Sequence, residues 1–348
     1  MSGIRRTTIL MAAGIVFGGL LLGAPAANAG GGHTIVVKPG QSIQAAVDKA
    51  RSGDTIELRA GTYTGGVRVT TGRLTIEGVG ARTVLVPGGT DNCAPDAAGT
   101  GICVTGDPAH PVSRVHIQDL TVRGFGSFGI EGFGTDRLRV NDVTAADNGE
   151  YGITEFASTR GAFVDNKILD NSLEAGLYVG DITDAQGTTV SGNYASGNAL
   201  GVLVRHARHV KVTDNTLVGN CTGIALVDDG QPGGQGNTLV SDNRINRNNK
   251  VCPPHEEVPP LGGTGIVSVG GANNVITGNE INGNQGSQPF SGGVVLTFGV
   301  NGNPSVGNKV IDNEIHNNKP YDIVNQSGGA NTIRDNDCRT SSPAGLCG

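Results

Sequence analysis

The stretch VKVTDNTL, Val210 to Leu217, decides the fold, because eight relatives of it occur along the chain. They are VHIQDLTV from Val115, LRVNDVTA from Leu138, AFVDNKIL from Ala162, TVSGNYAS from Thr189, TLVSDNRI from Thr238, VITGNEIN from Val275, KVIDNEIH from Lys309 and TIRDNDCR from Thr332. Alignment places Asp119, Asp142, Asn166, Asn193, Asn215, Asn243, Asn279, Asn313 and Asn336 in one column, at intervals of 22 to 36 residues. Five residues further on runs a second polar column: Asp147, Asn171, Asn198, Asn220, Asn248, Asn284 and Asn318. A third element comes next as GIEGF, GITEF, GLYVG, GVLVR, GIALV, GIVSV and GVVLT, opening at Gly129, Gly152, Gly176, Gly201, Gly223, Gly265 and Gly293. Each unit is three short alternating strands separated by turns, too short to hold intervening helices and too regular for hairpins. Units stacked in register make a solenoid, and crossovers between parallel strands are right-handed. The predicted fold class is all-β, a right-handed parallel β-helix. The Asn columns fit tight turns, since Asn tolerates left-handed backbone and its amide can bond the next coil.

The rest of the chain fits around this core. Arg5 and Arg6, an apolar run from Ile9 to Leu22 and Ala27-Asn28-Ala29 read as a secretory signal over residues 1–29, with a twin-arginine signal as the alternative export route. The run is too short for a retained anchor, and no later segment spans a membrane. A secreted chain of one domain, residues 30–348, is expected. Loss of Arg5 and Arg6 moves the formal charge from −6 to −8, which speaks against a nucleic-acid partner. Both methionines, Met1 and Met11, leave with the signal, so thioether copper sites are excluded. Six cysteines in an exported chain predict three disulfides; fifteen pairings are open by count, and spacing favours Cys93 with Cys103, Cys221 with Cys252, and Cys338 with Cys347. Ile43, Ala46, Val47 and Ala50 recur at helical spacing behind Ser42, predicting a capping helix at about 42–50 over the open end of coils at about 54–337. Residues 338–348 are the expected disulfide cap at the other end.

The opening SIQAAVDKA…GDTIELRAGTY and the Asn-punctuated coils resemble the pectate-lyase-like superfamily, in particular its secreted right-handed β-helix repeat proteins, over residues 33–348. The resemblance implies three sheets, PB1, PB2 and PB3, with the Asn turn between PB2 and PB3. It makes the third element PB1, whose outer face is the floor of the usual saccharide cleft, and it implies an extracellular polysaccharide as partner. Long segments flank PB1 as this requires: NKVCPPHEEVPPLGGT, QGSQPFSGG, DDGQPGGQG and GVNGNPSVG. The chain departs from several patterns within the superfamily. It lacks the polygalacturonase-like Asp, Asp-Asp and Gly-His-Gly set, although VDDG holds the Asp pair. Tyr151-Gly152 continues as Ile153-Thr154-Glu155 where alginate epimerase-like members carry Asp-Pro-His, and calcium-dependent pectate lyase motifs are missing. Likeness to periplasmic copper-accessory β-helix proteins stops at the repeat. No cofactor and no metal is assigned; calcium would suit the superfamily, but no motif here supports it.

Coils lie about 4.8 Å apart, so aligned PB1 positions become spatial neighbours. Outward positions then give Glu131 and Phe133, Thr154 and Phe156, Tyr178, and Arg205. His206 falls between Asp181 and Asp228 of adjacent coils, with Asp229 next. Tyr178, Asp181, Arg205, His206 and Asp228 are the candidate catalytic residues, and Glu131, Phe133, Phe156 and Asp229 the candidate substrate contacts. Three readings compete. Arg205 neutralises the carboxylate of a uronate while Tyr178 or His206 removes the C5 proton, for β-elimination or epimerisation. Alternatively Asp181 and Asp228, two coils or roughly 9–10 Å apart, act as the acid and base of an inverting glycosidase. In the third, the charges form an exposed ion-pair ladder on a non-catalytic adhesive scaffold. Phe125, Phe128 and Tyr151 join the aromatic crowd beside the cluster, as sugar-stacking surface or as packing. Glu155 falls where other coils carry Val or Leu and is read as an inward carboxyl of raised pKa, with a one-residue register slip as the alternative. His255, Glu256 and Glu257 are metal-ligand types on a Pro-rich loop that reads more simply as solvated. A monomer is expected.

Overall fold

The computed structural model describes residues 32–255 and 258–347. The predicted signal lies outside the described residues, as do Glu256 and Glu257. Gly32–Gly348 form one compact unit, a right-handed parallel β-solenoid. PB2 is a sheet of 12 parallel strands running from Thr34–Val37 to Thr332–Arg334. PB1 and PB3 form the other two faces. They are joined at the N-terminal end, where the strand Gly61–Val69 pairs with both Thr83–Asp91 of PB3 and Ile102–Thr105 of PB1.

Most PB2 and PB3 strands are three residues long with only the middle side chain turned inward, which is why the chain folds with so few apolar residues. In PB2 the inward column runs Ile117, Val140, Phe163, Val190, Val212, Val240, Ile276 and Val310, each completely buried. Burying each such side chain contributes about 2 kcal/mol. Ser42 caps the helix Ile43–Val47 by accepting from the Ala45 N–H at 3.1 Å, and Ile43, Ala46 and Val47 close the core at that end.

The corners differ from the sequence expectation in one respect. The left-handed residue of the PB2–PB3 turn is not the Asn but the residue before it: Asp165, Gly192, Asp214, Asp242, Gly278, Asp312 and Asp335. Asp119 and Asp142 belong to this left-handed column, with φ of 56° and 54°, and the ladder position beside them holds Leu120 and Val143. Asp147, φ 54°, is likewise one residue early, and Asn148 takes the second ladder. The turn thus divides its work between two residues. Asp or Gly makes the sharp bend, and the Asn behind it points inward. Asn215 is typical: its N–H and Nδ2 donate to Asn243 Oδ1 at 3.0 and 2.9 Å, Nδ2 also reaches Val190 O, and Oδ1 accepts the same pair from Asn193. A third, shorter ladder at the PB1–PB2 corner links Thr238, Asn274, Asn308 and Asn331. The second ladder ends on Asp322, 2% exposed. Its Oδ1 accepts from Asn318 N and Nδ2, and its Oδ2 from Arg339 N, Thr340 N and Thr340 Oγ1.

The three disulfides join Cys93 to Cys103, Cys221 to Cys252 and Cys338 to Cys347. The second ties the 249–262 loop to the start of a PB1 strand. No helix among the described residues is long and apolar enough to cross a membrane.

Candidate functional site

Parallel register lines up two outward columns on PB1. One runs Cys103, Glu131, Thr154, Tyr178, Leu203, Ala225, Val267 and Val295. The next runs Thr105, Phe133, Phe156, Gly180, Arg205, Val227, Val269 and Thr297. Polar and aromatic residues therefore gather in the first coils and at Arg205, and apolar side chains occupy the later ones. Beyond the second column the chain turns through left-handed residues: Gly134, Ala157, Asp181, His206 and Gly270. Asp228 leaves this pattern and opens the 228–235 loop.

The charged group assembles at that turn. Arg205 Nε donates to Asp229 Oδ2 at 3.0 Å, with 48% of the Arg205 side chain exposed against 9% for Asp229. His206 Nε2 meets the Pro232 carbonyl at 2.8 Å, so this nitrogen is the donor and Nδ1 keeps its lone pair. Nδ1 faces Asp181 Oδ1 at 4.0 Å. Asp181, His206 and Asp229 each offer a ligand atom within 4.8 Å of the other two. Asp228 does not complete this group as the sequence suggested. Its Oδ1 accepts from Gly230 N at 2.9 Å and its Oδ2 from Asn303 Nδ2 at 3.0 Å, turning it toward its own loop and the GVNGNPSVG segment. Asp229 takes the place expected of Asp228 beside His206. Because Asp228 abandons the left-handed turn, the acid that reaches Arg205 comes one residue later. Asn303, 75 residues away, is not singled out by any sequence motif; its only signal is membership of a loop flanking PB1.

Tyr178 stands in the outward column but is only 1% exposed, covered by Tyr151 and Phe156, so its phenol is not open to solvent. Its ring folds across Gly180, where an added Cβ would come within 2.2 Å of the phenol oxygen. The absence of a side chain at 180 is what lets the phenol lie between Asp181 and Arg205. Burial raises the Tyr178 pKa, and the charge of the neighbouring Asp181 raises it further. Tyr151 is raised by burial and by Glu174. Neither phenol is an ionised base near neutrality. For Arg205, burial alone would lower the pKa, but Tyr178, Asp229 and Asp181 outweigh it and hold the guanidinium charged.

Phe128, Tyr151, Phe156 and Tyr178 make one contiguous aromatic cluster, with Phe156 and Tyr178 centroids 4.8 Å apart and Tyr151 and Tyr178 5.1 Å apart. Phe125 is separate, buried in the solenoid core, and Phe133 stands 40% exposed at the near edge of PB1. Glu131 is 7% exposed, and burial with the charge of Asp96 pushes its pKa up to about 7. It stands one coil beyond Thr154 from Tyr178 and does not join the Arg205 group. Glu155 turns inward: it is 1% exposed, its Oε2 accepts from Thr188 Oγ1 at 3.0 Å, and Oε1 has no hydrogen-bond partner. Burial drives its pKa up to about 8. The carboxyl fills the space beside Gly161, where a Cβ would lie 2.4 Å from Oε1.

The remaining basic residues of the Arg205 stretch lie elsewhere. His209 Nδ1 meets Asp184 Oδ1 at 2.9 Å, and Lys211 belongs to PB2. His255 Nε2 lies 3.8 Å from Glu174 Oε1. One hollow of about 20 Å³ lies under the 250–262 loop and another of about 330 Å³ beside Asp242, Glu280 and Asp312 at the PB2–PB3 corner. Neither is lined by the Arg205 group.

The family model described as right handed beta helix region matches residues 61–183 and 175–310. The chain belongs to the right-handed β-helix family. No curated protein matches it in sequence. Among solved structures it is similar to the DFA-IIIase of Arthrobacter chlorophenolicus A6, with TM-score 0.54 and 16% identity, covering 85% of this chain and 87% of that one. A double mutant of the periplasmic alginate epimerase AlgG also gives TM-score 0.54 and 16% identity, covering 88% of this chain and 77% of that one. An alginate lyase from Paenibacillus sp. str. FPU-7 gives TM-score 0.50 and 17% identity, covering 90% and 96%. At such identities the likeness is one of fold.

Proposed function

We propose that this β-helix protein binds an acidic polysaccharide outside the cell and modifies a uronate in it by lyase or epimerase chemistry. The observation that carries the reading is Arg205: a half-exposed guanidinium on the PB1 face, kept charged by its neighbours and set beside an imidazole with an open lone pair. In this reading Arg205 pairs with the uronate carboxylate, which acidifies the C5 proton, and His206 Nδ1 accepts that proton. Tyr178, buried and neutral, positions Asp181 and Arg205. Phe133 and Phe156 offer ring faces to neighbouring sugars. The three disulfides suit an oxidising compartment. Similarity in fold to an alginate lyase and an alginate epimerase supports the substrate class.

The test is a glycan-array screen with product analysis on each hit. A uronan should be bound and either epimerised or cleaved to an unsaturated, ultraviolet-absorbing end, and Arg205→Ala should reduce turnover at least ~100-fold. Full activity in both Arg205→Ala and His206→Ala would overturn the reading. New reducing ends without ultraviolet absorption would replace it with hydrolysis. A non-catalytic scaffold is the second reading, favoured by the pairing of Arg205 with Asp229 and of His206 with the Pro232 carbonyl within the chain; it expects glycan binding without any change in the glycan.

A further inference from the structure

We propose that Asp181, His206 Nδ1 and Asp229 form a site for a divalent ion of the zinc or manganese class. Three features carry it. The ligand atoms come from three successive coils and already lie within 4.8 Å of one another. An ion with bonds of about 2.0–2.2 Å needs them somewhat closer. Asp181, whose side chain is 49% exposed, is the arm free to close and leaves the approach open to solvent.

Two of the three ligands, His206 and Asp229, are also held by partners outside the trio. Pro232 O takes the proton of His206 Nε2, which leaves Nδ1, 4.0 Å from Asp181 Oδ1, as the ligand nitrogen. Arg205 and the Gln231 N–H hold the two oxygens of Asp229 at 3.0 and 3.2 Å, and each oxygen retains a lone pair. Outer partners of this kind orient ligands and raise affinity about 10–100-fold. The donor set chooses the metal: one imidazole with two carboxylates suits zinc, cobalt or manganese, whereas calcium prefers six or more oxygens. The nearby His209 and Asp184, 2.9 Å apart, join no third ligand among the described residues and make an internal control.

An ion on Nδ1 uses the lone pair that would otherwise accept a proton. Metal occupancy and proton abstraction by His206 therefore exclude one another, a consequence that rests on the glycan reading, whereas the site itself does not. The test accordingly uses no substrate. Full-length protein is titrated with Zn²⁺, Mn²⁺ and Ca²⁺ by calorimetry and with Co²⁺ by visible absorption, each variant being checked for native melting. One Zn²⁺ per chain is expected, with Co²⁺ bands of a nitrogen and oxygen site. Affinity should fall at least ~10-fold in both His206→Gln and Asp181→Asn and stay unchanged in His209→Gln. No Zn²⁺ binding by the wild type, equal binding after His206→Gln, or Ca²⁺ binding tighter than Zn²⁺ would overturn the site.

Discussion

The PB2–PB3 corner and the far end of PB1 bend the chain with the same left-handed device and treat the residues behind the bend in opposite ways. At the first corner Asp or Gly takes the bend, and the residue behind it is a buried Asn bonded to the coils on either side. At the second, Ala157, Asp181 and His206 take the bend, no ladder stands behind them, and charged side chains remain at the surface. Repetition at the first corner satisfies the inward polar groups. Irregularity at the second leaves donors, acceptors and charges with capacity for something beyond the chain. A solenoid can carry such a patch because each coil is secured by neighbours through contacts that do not involve it.

This contrast is broken most severely from the ladder side. Asn215→Ala strands the Asn193 N–H and takes the Asn215 partner from one Asn193 Nδ2 hydrogen and from the Val190 carbonyl inside the core, while Asn243 Oδ1 keeps the residue-215 N–H, so denaturant unfolding should show a loss of about 3–5 kcal/mol. A loss below about 1 kcal/mol would mean that water or repacking replaces the ladder.

Glu155 gives the next effect. Its pKa rises on folding from the ordinary 4.5 to about 8, so the folded state retains a proton that the unfolded chain releases. The stability of the wild type relative to Glu155→Gln is therefore fully present below pH 4.5, falls as pH rises toward 8, and is flat above it. Melting temperatures of the two proteins should converge at about pH 4 and separate at about pH 9, where Glu155→Gln should be the more stable by about a few kcal/mol. Parallel curves across that range would show that the carboxyl is hydrated.

The smallest effect sharpens the comparison from the PB1 side. His206→Gly relieves a left-handed non-glycine residue, φ 46°, and should raise stability by about 1 kcal/mol while removing Zn²⁺ binding. A fall in melting temperature together with the loss of the ion would mark His206 as structural.

The ladder was legible in sequence because its signal is local and repeated: an Asn behind a bend recurs in seven coils from Asn166 to Asn336. Even there the early coils misled, since Asp119 and Asp142 imitate the column while holding the bend before it. The PB1 columns could be counted from Gly129 onward, and Arg205 and His206 fell where counting placed them. Tyr178 stands in the outward column where counting placed it, but its burial could not be counted, because the ring folds over the empty position at Gly180. The substitution of Asp229 for Asp228 depends on where the backbone leaves the coil, and an alignment of strands contains no information on that departure. Glu155 counted as an inward carboxyl or, after a slip of one residue, as an outward one, and the register of the neighbouring coils decides for the inward position.

Asp322 carries a consequence for the length of the molecule. Each Asn from Asn171 to Asn284 gives its N–H and one Nδ2 hydrogen to the Oδ1 of the next Asn toward the C-terminus, while Nδ2 also reaches a carbonyl of the preceding coil, so the Asn-to-Asn row has a polarity. A carboxylate accepts on both oxygens and donates nothing, and this one gathers the last two amide donors on one side and the Arg339–Thr340 backbone on the other. It acts as a stop in a directional polymer. A duplicated coil inserted before Asn318 should be read through, whereas one appended after Asp322 would find no donor row to extend.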